Sequence, residues 1–296
     1  VTTDVPRLID RGALRLRRDR ARREDYGPDF LRARVIEDFG DRLSATLRPF
    51  PAALDLATPG VDLAAELRRR PTAERVVRAA AHVDDRGDLV CDPENLPFAA
   101  ESFDLIGSSL ALQFADDLPG LLAQARRALR PDGLFLAALL GGETLTELRQ
   151  AFAAAEADIE GGVSPRVLPF ADARALGGLL QRAGFALPVT DVDRVMVRYS
   201  DPLALMRDLR AWGATNALVE RRRAPLRRAT LARALESYAE RFSDADGRVR
   251  ATFEIVWLSG WAPHPDQQKP LRSGSAKMRL ADVLGATDEA PKGGSL

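Results

Sequence analysis

The sequence predicts an α/β protein built on a doubly wound, mostly parallel sheet. Three observations predict it. Short apolar runs alternate with amphipathic stretches through the first half of the chain. The run 134–140, LFLAALL, is continuously apolar, the pattern of a strand buried on both faces. A chain of 296 residues with 46% hydrophobic content holds enough apolar surface for one large core.

The elements follow in order. Residues 7–25 mix Arg with apolar side chains and predict a charged helix. Leu31, Val35, Phe39, Leu43 and Leu47 recur near helical spacing and predict a helix over 30–47, ended by Pro49 and Pro51. A short buried strand is expected over 52–56, then a tight loop and a helix over 62–69. Further strands are expected over 75–80, 88–91 and 103–108. A helix over 117–129 leads to the turn Arg130-Pro131-Asp132-Gly133, then to the strand at 134–140. Gly141-Gly142 breaks that strand, and a helix is expected over 144–158. This spacing implies right-handed crossovers between parallel strands.

The second half reads differently. A Gly- and Pro-containing loop spans 159–170, and a helix over 172–183 stops at Gly184. A long strand is expected over 187–199, two helices over 201–214 and 225–242, and a last strand over 252–261. Two long strands bracketing a helical pair predict an antiparallel edge hairpin with an insertion. The expected organisation is an N-terminal helical extension (1–50), a main domain (51–262) with a helical insertion at about 201–245, and an extended or disordered tail (263–296).

Composition excludes several classes. No apolar run approaches the roughly 20 residues of a membrane-spanning helix. Lys+Arg and Asp+Glu are 43 each, so the formal net charge is zero, which argues against a globally basic nucleic-acid binder. Cys91 is the only cysteine, so there is no intrachain disulfide and no thiolate cluster, as suits a reducing compartment. Asp4, Asp10 and Asp19 interrupt the Arg-rich start, and it has no apolar central region. It reads as neither a presequence nor a secretory signal. The expectation is a bacterial cytoplasmic protein, with peripheral association at the inner membrane left open.

The segment 54–64, LDLATPGVDLA, carries the first chemical signal. A strand ending in Asp55, a tight loop and a helix resemble the opening of the class I S-adenosylmethionine-dependent methyltransferases. Their motif runs Asp/Glu-x-Gly-x-Gly-x-Gly, whose glycines let backbone approach the cofactor. Here those positions hold Ala57, Pro59 and Val61, and Gly60 is out of phase. Pro59 has no N–H to donate, and Val61 is β-branched.

The segments DPENLPF, FDLIGSSLALQF, DLPGLL, LRPDGLFLAALLGGETLTELR, GGVSPRVLPF, LLQRAGF and SGWAPHPDQQKPLRSGSA occur in that order. Together they resemble the complex I assembly factor 5 family, mitochondrial protein-arginine hydroxylases with a methyltransferase fold. The biotin-pathway malonyl-acyl-carrier-protein methyltransferases are more distant relatives. The resemblance runs from about residue 8 to 284. It implies a class I methyltransferase fold with strand order 3-2-1-4-5-7-6. It also implies a role in assembling respiratory NADH:quinone oxidoreductase (complex I), with a subunit of that complex as protein partner. Two alternatives stay open: an active S-adenosylmethionine-dependent carboxyl methyltransferase, and an inactive binding scaffold.

The resemblance places candidate cofactor contacts at Asp55, Ala57, Gly60, Asp92 and Ser109, and assigns no catalytic residue. Asp55 either positions the methionine end of the cofactor through water or caps the following helix. Asp92 either accepts the adenine amine or opens the turn through Glu94. The acid that normally ends the second strand and holds the ribose falls at Ala80, and the His-Trp or Gln-Trp after the fourth strand reads Gln113-Phe114. Charge-assisted hydrogen bonds are worth about 1.5–3 kcal/mol apiece. Losing the loop and the carboxylate predicts S-adenosylmethionine binding weakened about a hundredfold or more, or absent.

A facial metal triad would have to draw on His82-Val83-Asp84 and on His264, the only other histidine. His264 follows an antiparallel strand and should emerge at the opposite sheet edge, so no metal site is expected. Arg221, Arg222, Arg223, Arg227 and Arg228 form a basic cluster. It reads either as a solvated helix face or as a dock for an acidic partner surface or anionic lipid. Aromatic residues are too sparse there for base stacking, so nucleic acid is not expected. Trp212, Trp257 and Trp261 are expected in the core or a lid.

Overall fold

The computed structural model describes residues 6–23, 29–83 and 87–267. Packing divides the chain between Pro263 and His264. Of the second unit only His264–Gln267 is described, where the Asp266 N–H donates to His264 Nδ1 at 3.1 Å. Most of the expected tail lies outside the described residues, as does Asp84.

The first unit is a seven-stranded sheet between helical layers. Its strands are β1 (Ala52–Leu56), β2 (Arg75–Ala80), β3 (Leu89–Val90), β4 (Phe103–Ser109), β5 (Leu129–Leu140), β6 (Ala186–Tyr199) and β7 (Val249–Trp261). They lie in the order β3-β2-β1-β4-β5-β7-β6. The first five pair in parallel, and β7 runs antiparallel between β5 and β6. This is the expected strand order.

Eight helices are described: α1 (Arg11–Arg23), α2 (Phe30–Ser44), α3 (Asp62–Arg68), α4 (Leu118–Ala128), α5 (Thr146–Glu160), α6 (Ala173–Arg182), α7 (Pro202–Ala211) and α8 (Arg228–Phe242). Side-chain oxygens at their N-termini satisfy free amides. Asp29 accepts from the Arg32 N–H, Asp117 from Gly120, Asp172 from Ala175 and Asp201 from Ala204.

Each sheet face has its own core. On one, Val35 and Phe39 of α2, Leu63 of α3, Phe152 of α5, Leu205 of α7 and Tyr238 of α8 pack over Ala53, Leu136, Phe253 and Trp257. On the other, Leu121 of α4 and Leu176 of α6 cover Leu54, Ile106, Phe135 and Leu258. Gly107 in β4 is required by the first layer: a Cβ there would stand 2.9 Å from the Phe39 ring. Trp257 is buried, and Trp212 and Trp261 are partly buried against the same layer. A smaller third cluster joins Ile9 and Leu14 to Leu168, Ala217 and Leu218.

One expected turn is a bulge. Phe103 pairs with Leu129 and Leu105 with Leu134, so Arg130–Gly133 loops out inside β5. Asp132 takes a left-handed φ of 62° there. The sheet continues through the segment because Asp104 holds both Arg130 and the Ala52 N–H.

Candidate functional site

In a doubly wound sheet the crevice opens past the carboxyl ends of the strands, where strand order reverses. Here β1 and β4 part at that point, and a cavity of about 320 Å³ lies there. Ala57 after β1, Ala81 and His82 after β2, Cys91 and Asp92 after β3, and Leu112 and Phe114 after β4 form its walls. Arg11, Leu14 and Arg18 of α1 line it as well. Of the five candidate contacts, Ala57 and Asp92 line the cavity; Asp55, Gly60 and Ser109 do not.

Asp55 is fully buried, opposite Arg78 in the β1–β2 register. Its Oδ2 lies 3.5 Å from Arg78 Nε, and Arg78 is itself only 2% exposed. Burial pushes the Asp55 carboxyl up to about 7, against the pull of Thr58, Arg78 and the Ala64 N–H. Asp55 thus faces β2 and the first turn of α3. The Arg78 guanidinium also donates to the Thr58 carbonyl at 3.2 Å, and the Thr58 hydroxyl accepts from the Ser109 N–H at 3.0 Å. Ser108 Oγ donates to the Leu56 carbonyl at 2.8 Å.

These bonds fix the loop after β1. Ala57, at the first glycine position of the motif, has φ 58°. Its backbone takes the left-handed shape a glycine would take, at a strain of order 1 kcal/mol. Gly60 has φ 80° beside the Arg32 side chain, outside the cavity.

The second-strand position is closed as well as uncharged. Ala80 is 1% exposed and does not line the cavity. It packs against Gly87 so tightly that a Cβ on Gly87 would stand 2.6 Å from the Ala80 Cβ. Gly87 thus leaves space for the Ala80 methyl, and any longer side chain at 80 would start from a fully buried position.

At the β3 end Asp92 and Arg11 are half-exposed and Glu94 is mostly covered. Asp92 Oδ1 accepts from the Glu94 N–H at 3.0 Å, so Asp92 does open that turn. Its Oδ2 accepts from Arg11 at 2.7 Å, and Glu94 Oε2 takes the other Arg11 nitrogen at 2.6 Å. Glu94 Oε1 accepts from the Asp116 N–H at 2.6 Å. Asp116 in turn accepts from the N–H groups of Leu8 and Ile9. Cys91 sits beside Asp92; burial, then that carboxylate, pushes its thiol up to about 11. At the far end Arg18 lies over the Phe114 ring at 5.0 Å. Gln113 donates to the Leu110 carbonyl.

The basic cluster is largely committed within the chain. Arg221 pairs with Asp10 at 2.9 Å, and Arg222 and Arg227 pair with Glu160 at 2.9 and 3.3 Å. The segment also anchors α1, since Ile9 and Leu218 form an antiparallel bridge. His82 lines the cavity, while His264 belongs to the second unit. Among the described residues no group of His, Cys, Asp or Glu is arranged to hold a metal ion. No described helix is long and apolar enough to cross a membrane.

Sequence reasoning missed Arg11, Leu14, Arg18 and Arg78. No sequence signal marked them: Leu14 lines the cavity while Leu16, the other leucine of the same Arg-rich helix, is exposed.

Comparison with known proteins agrees with this architecture. Residues 52–137 match the methyltransferase domain family. The YcgJ protein of Bacillus subtilis superposes with a TM-score of 0.53 at 12% identity, covering 77% of this chain and 99% of that one. A Bacillus halodurans protein solved as a candidate methyltransferase gives 0.53 at 15%, covering 77% and 98%. The malonyl-[acyl-carrier protein] O-methyltransferase of Laribacter hongkongensis is 38% identical over 84% of this chain and 76% of its own. The mitochondrial arginine-hydroxylase NDUFAF5 of Danio rerio is 38% identical over 86% of this chain and 82% of its own; the Homo sapiens protein is 35% identical over 90% and 79%. With such identity across most of both chains, this protein belongs to the NDUFAF5 arginine-hydroxylase family.

Proposed function

We propose that the protein is an assembly or maturation factor for respiratory NADH:quinone oxidoreductase, acting on a protein partner of that complex. The observation that carries the reading is the extent of the NDUFAF5 likeness. It spans 86–90% of the chain in the Danio and human proteins, well beyond the 52–137 methyltransferase segment. The Laribacter methyltransferase supports a second reading, carboxyl methyl transfer. Deleting the gene separates them. Loss of assembled NADH:quinone oxidoreductase with biotin synthesis intact is expected. Biotin auxotrophy with normal respiration would move the protein to the carboxyl methyltransferases.

We further propose that S-adenosylmethionine binds weakly or not at all. The residues present do not fit it in the usual way. Pro59 offers no N–H, Ala80 offers no carboxylate and is buried, and Asp92 is engaged by Arg11. Only the left-handed backbone at Ala57 preserves the shape of a glycine loop. Calorimetric titration should give no saturation at micromolar ligand. A dissociation constant in the low micromolar range would overturn this reading.

A further inference from the structure

Arg11 is a single side chain on which three parts of the site converge. It projects from the first turn of α1, lines the cavity, and reaches the two carboxylates of the β3 end. Asp92 has one oxygen on the Glu94 N–H and the other on Arg11. The start of α1 is not free to swing away. The Asp10 N–H donates to the Ala217 carbonyl at 2.8 Å, the Val219 N–H to the Leu8 carbonyl at 2.9 Å, and Asp116 holds two further amides. The Arg11 side chain can move without the helix, because it stands at the edge of the cavity with 44% of its surface exposed.

We propose that Arg11 is a gate at the Asp92 end of the cavity. With its two ion pairs made, it closes the approach to Asp92 and Cys91. A ligand that directs an amino group at Asp92, such as the 6-amino group of a purine, must displace it. The carboxylates left behind, Asp92 and Glu94, then accept the incoming donor. This last step rests on the reading of Asp92 as an acceptor for an adenine amine; the gate itself does not.

The energetics suit a gate. With Arg11 half-exposed, each pair is worth roughly 0.2–1 kcal/mol, so two together hold the closed form by about two- to thirtyfold. Such a latch opens on the timescale of side-chain motion and weakens with salt.

Cys91 reports on the gate because it lines the cavity and is the only cysteine. Two uncharged reagents of different bulk, N-methylmaleimide and N-cyclohexylmaleimide, alkylate the same thiolate. The thiolate sulfur adds to the ring double bond, and water protonates the adjacent carbon. The ratio of the two rates cancels the ionisation of the thiol and leaves access. In Arg11→Ala the bulky-to-small ratio should rise about two- to thirtyfold. In the unaltered chain it should rise in the same direction between 0.1 and 1 M salt, as the Debye length shortens from about 10 Å to about 3 Å. The salt series needs no variant to fold. An unchanged ratio in both experiments overturns the gate.

Adenosine then separates the gate from the ligand. Protection of Cys91 by adenosine that is stronger in Arg11→Ala than in the unaltered chain supports displacement by a purine. A raised ratio without adenosine protection leaves the gate standing and removes the nucleoside reading.

Discussion

At the carboxyl end of β1, outside the cavity lining, an aspartate meets an arginine with both side chains sealed from solvent. At the β3 end an aspartate and a glutamate meet an arginine at the cavity's open edge. Asp55 and Arg78 are 0% and 2% exposed, whereas Arg11 and Asp92 are 44% and 42% exposed in their side chains. The chemistry is the same and the consequences differ. A buried pair has surrendered its hydration, so neither partner can leave without stranding the other. A half-exposed pair exchanges its contacts with water at little cost. The first sets the shape of the loop, and the second sets who reaches the carboxylates.

The sharpest way to break this contrast is to remove one buried partner. Arg78→Met should destabilise the chain by about 3–5 kcal/mol, because Asp55 and the Thr58 carbonyl are then both buried without their donor. The double replacement Asp55→Leu with Arg78→Met should recover most of that loss, since an apolar pair of similar volume suits the layer beneath α3. Denaturant unfolding of both variants checks it. Equal loss in the single and double variants would mean that the pair does more than neutralise itself, through the Thr58 carbonyl that Arg78 also holds.

A smaller effect is expected at Ala80. Ala80→Asp supplies the carboxylate of the methyltransferase pattern but meets Gly87. Overpacking of this kind costs about 1–3 kcal/mol. The variant should lose stability by denaturant unfolding and gain no affinity for S-adenosylmethionine by calorimetry. A tenfold gain in affinity would show that the second strand can shift to admit the side chain.

These sites differ in how far the sequence announced them. The strands were legible because buried parallel strands are apolar throughout, as at 134–140, and because Gly and Pro mark their ends, whereas their order came only from the family resemblance. Arg130–Gly133 carries the same turn chemistry yet loops out within β5, because Asp104 ties Arg130 and Ala52 across it. Composition cannot tell a chain reversal from a bulge. The glycine positions were legible as side chains, not as backbone. Ala57 keeps a left-handed φ that its residue type disfavours, held by tertiary bonds. Arg78 reads in sequence as a polar break in a strand; its partner lies 23 residues earlier and meets it only through the β1–β2 register. Likewise, nothing local to α1 says that Arg11 will face Asp92.

The smallest effect is expected at the basic segment, which the sequence left open as a dock or a solvated face. Its structure makes it a brace. Arg221 holds Asp10 at the start of α1, and Arg222 and Arg227 converge on Glu160 at the end of α5. Thr230 Oγ1 also donates to Glu160, at 2.6 Å, so that carboxylate keeps one partner when the arginines go. Replacing Arg222 and Arg227 with Ser should therefore lower Tm by no more than roughly 2–4 °C. Association with an acidic partner should change little in rate or salt dependence, because these guanidinium groups already face an internal carboxylate. Thermal unfolding and stopped-flow association at two salt concentrations measure both. A large fall in association rate with an unchanged Tm would reverse the assignment and make this segment the docking surface, since a brace cannot be removed without a trace in stability.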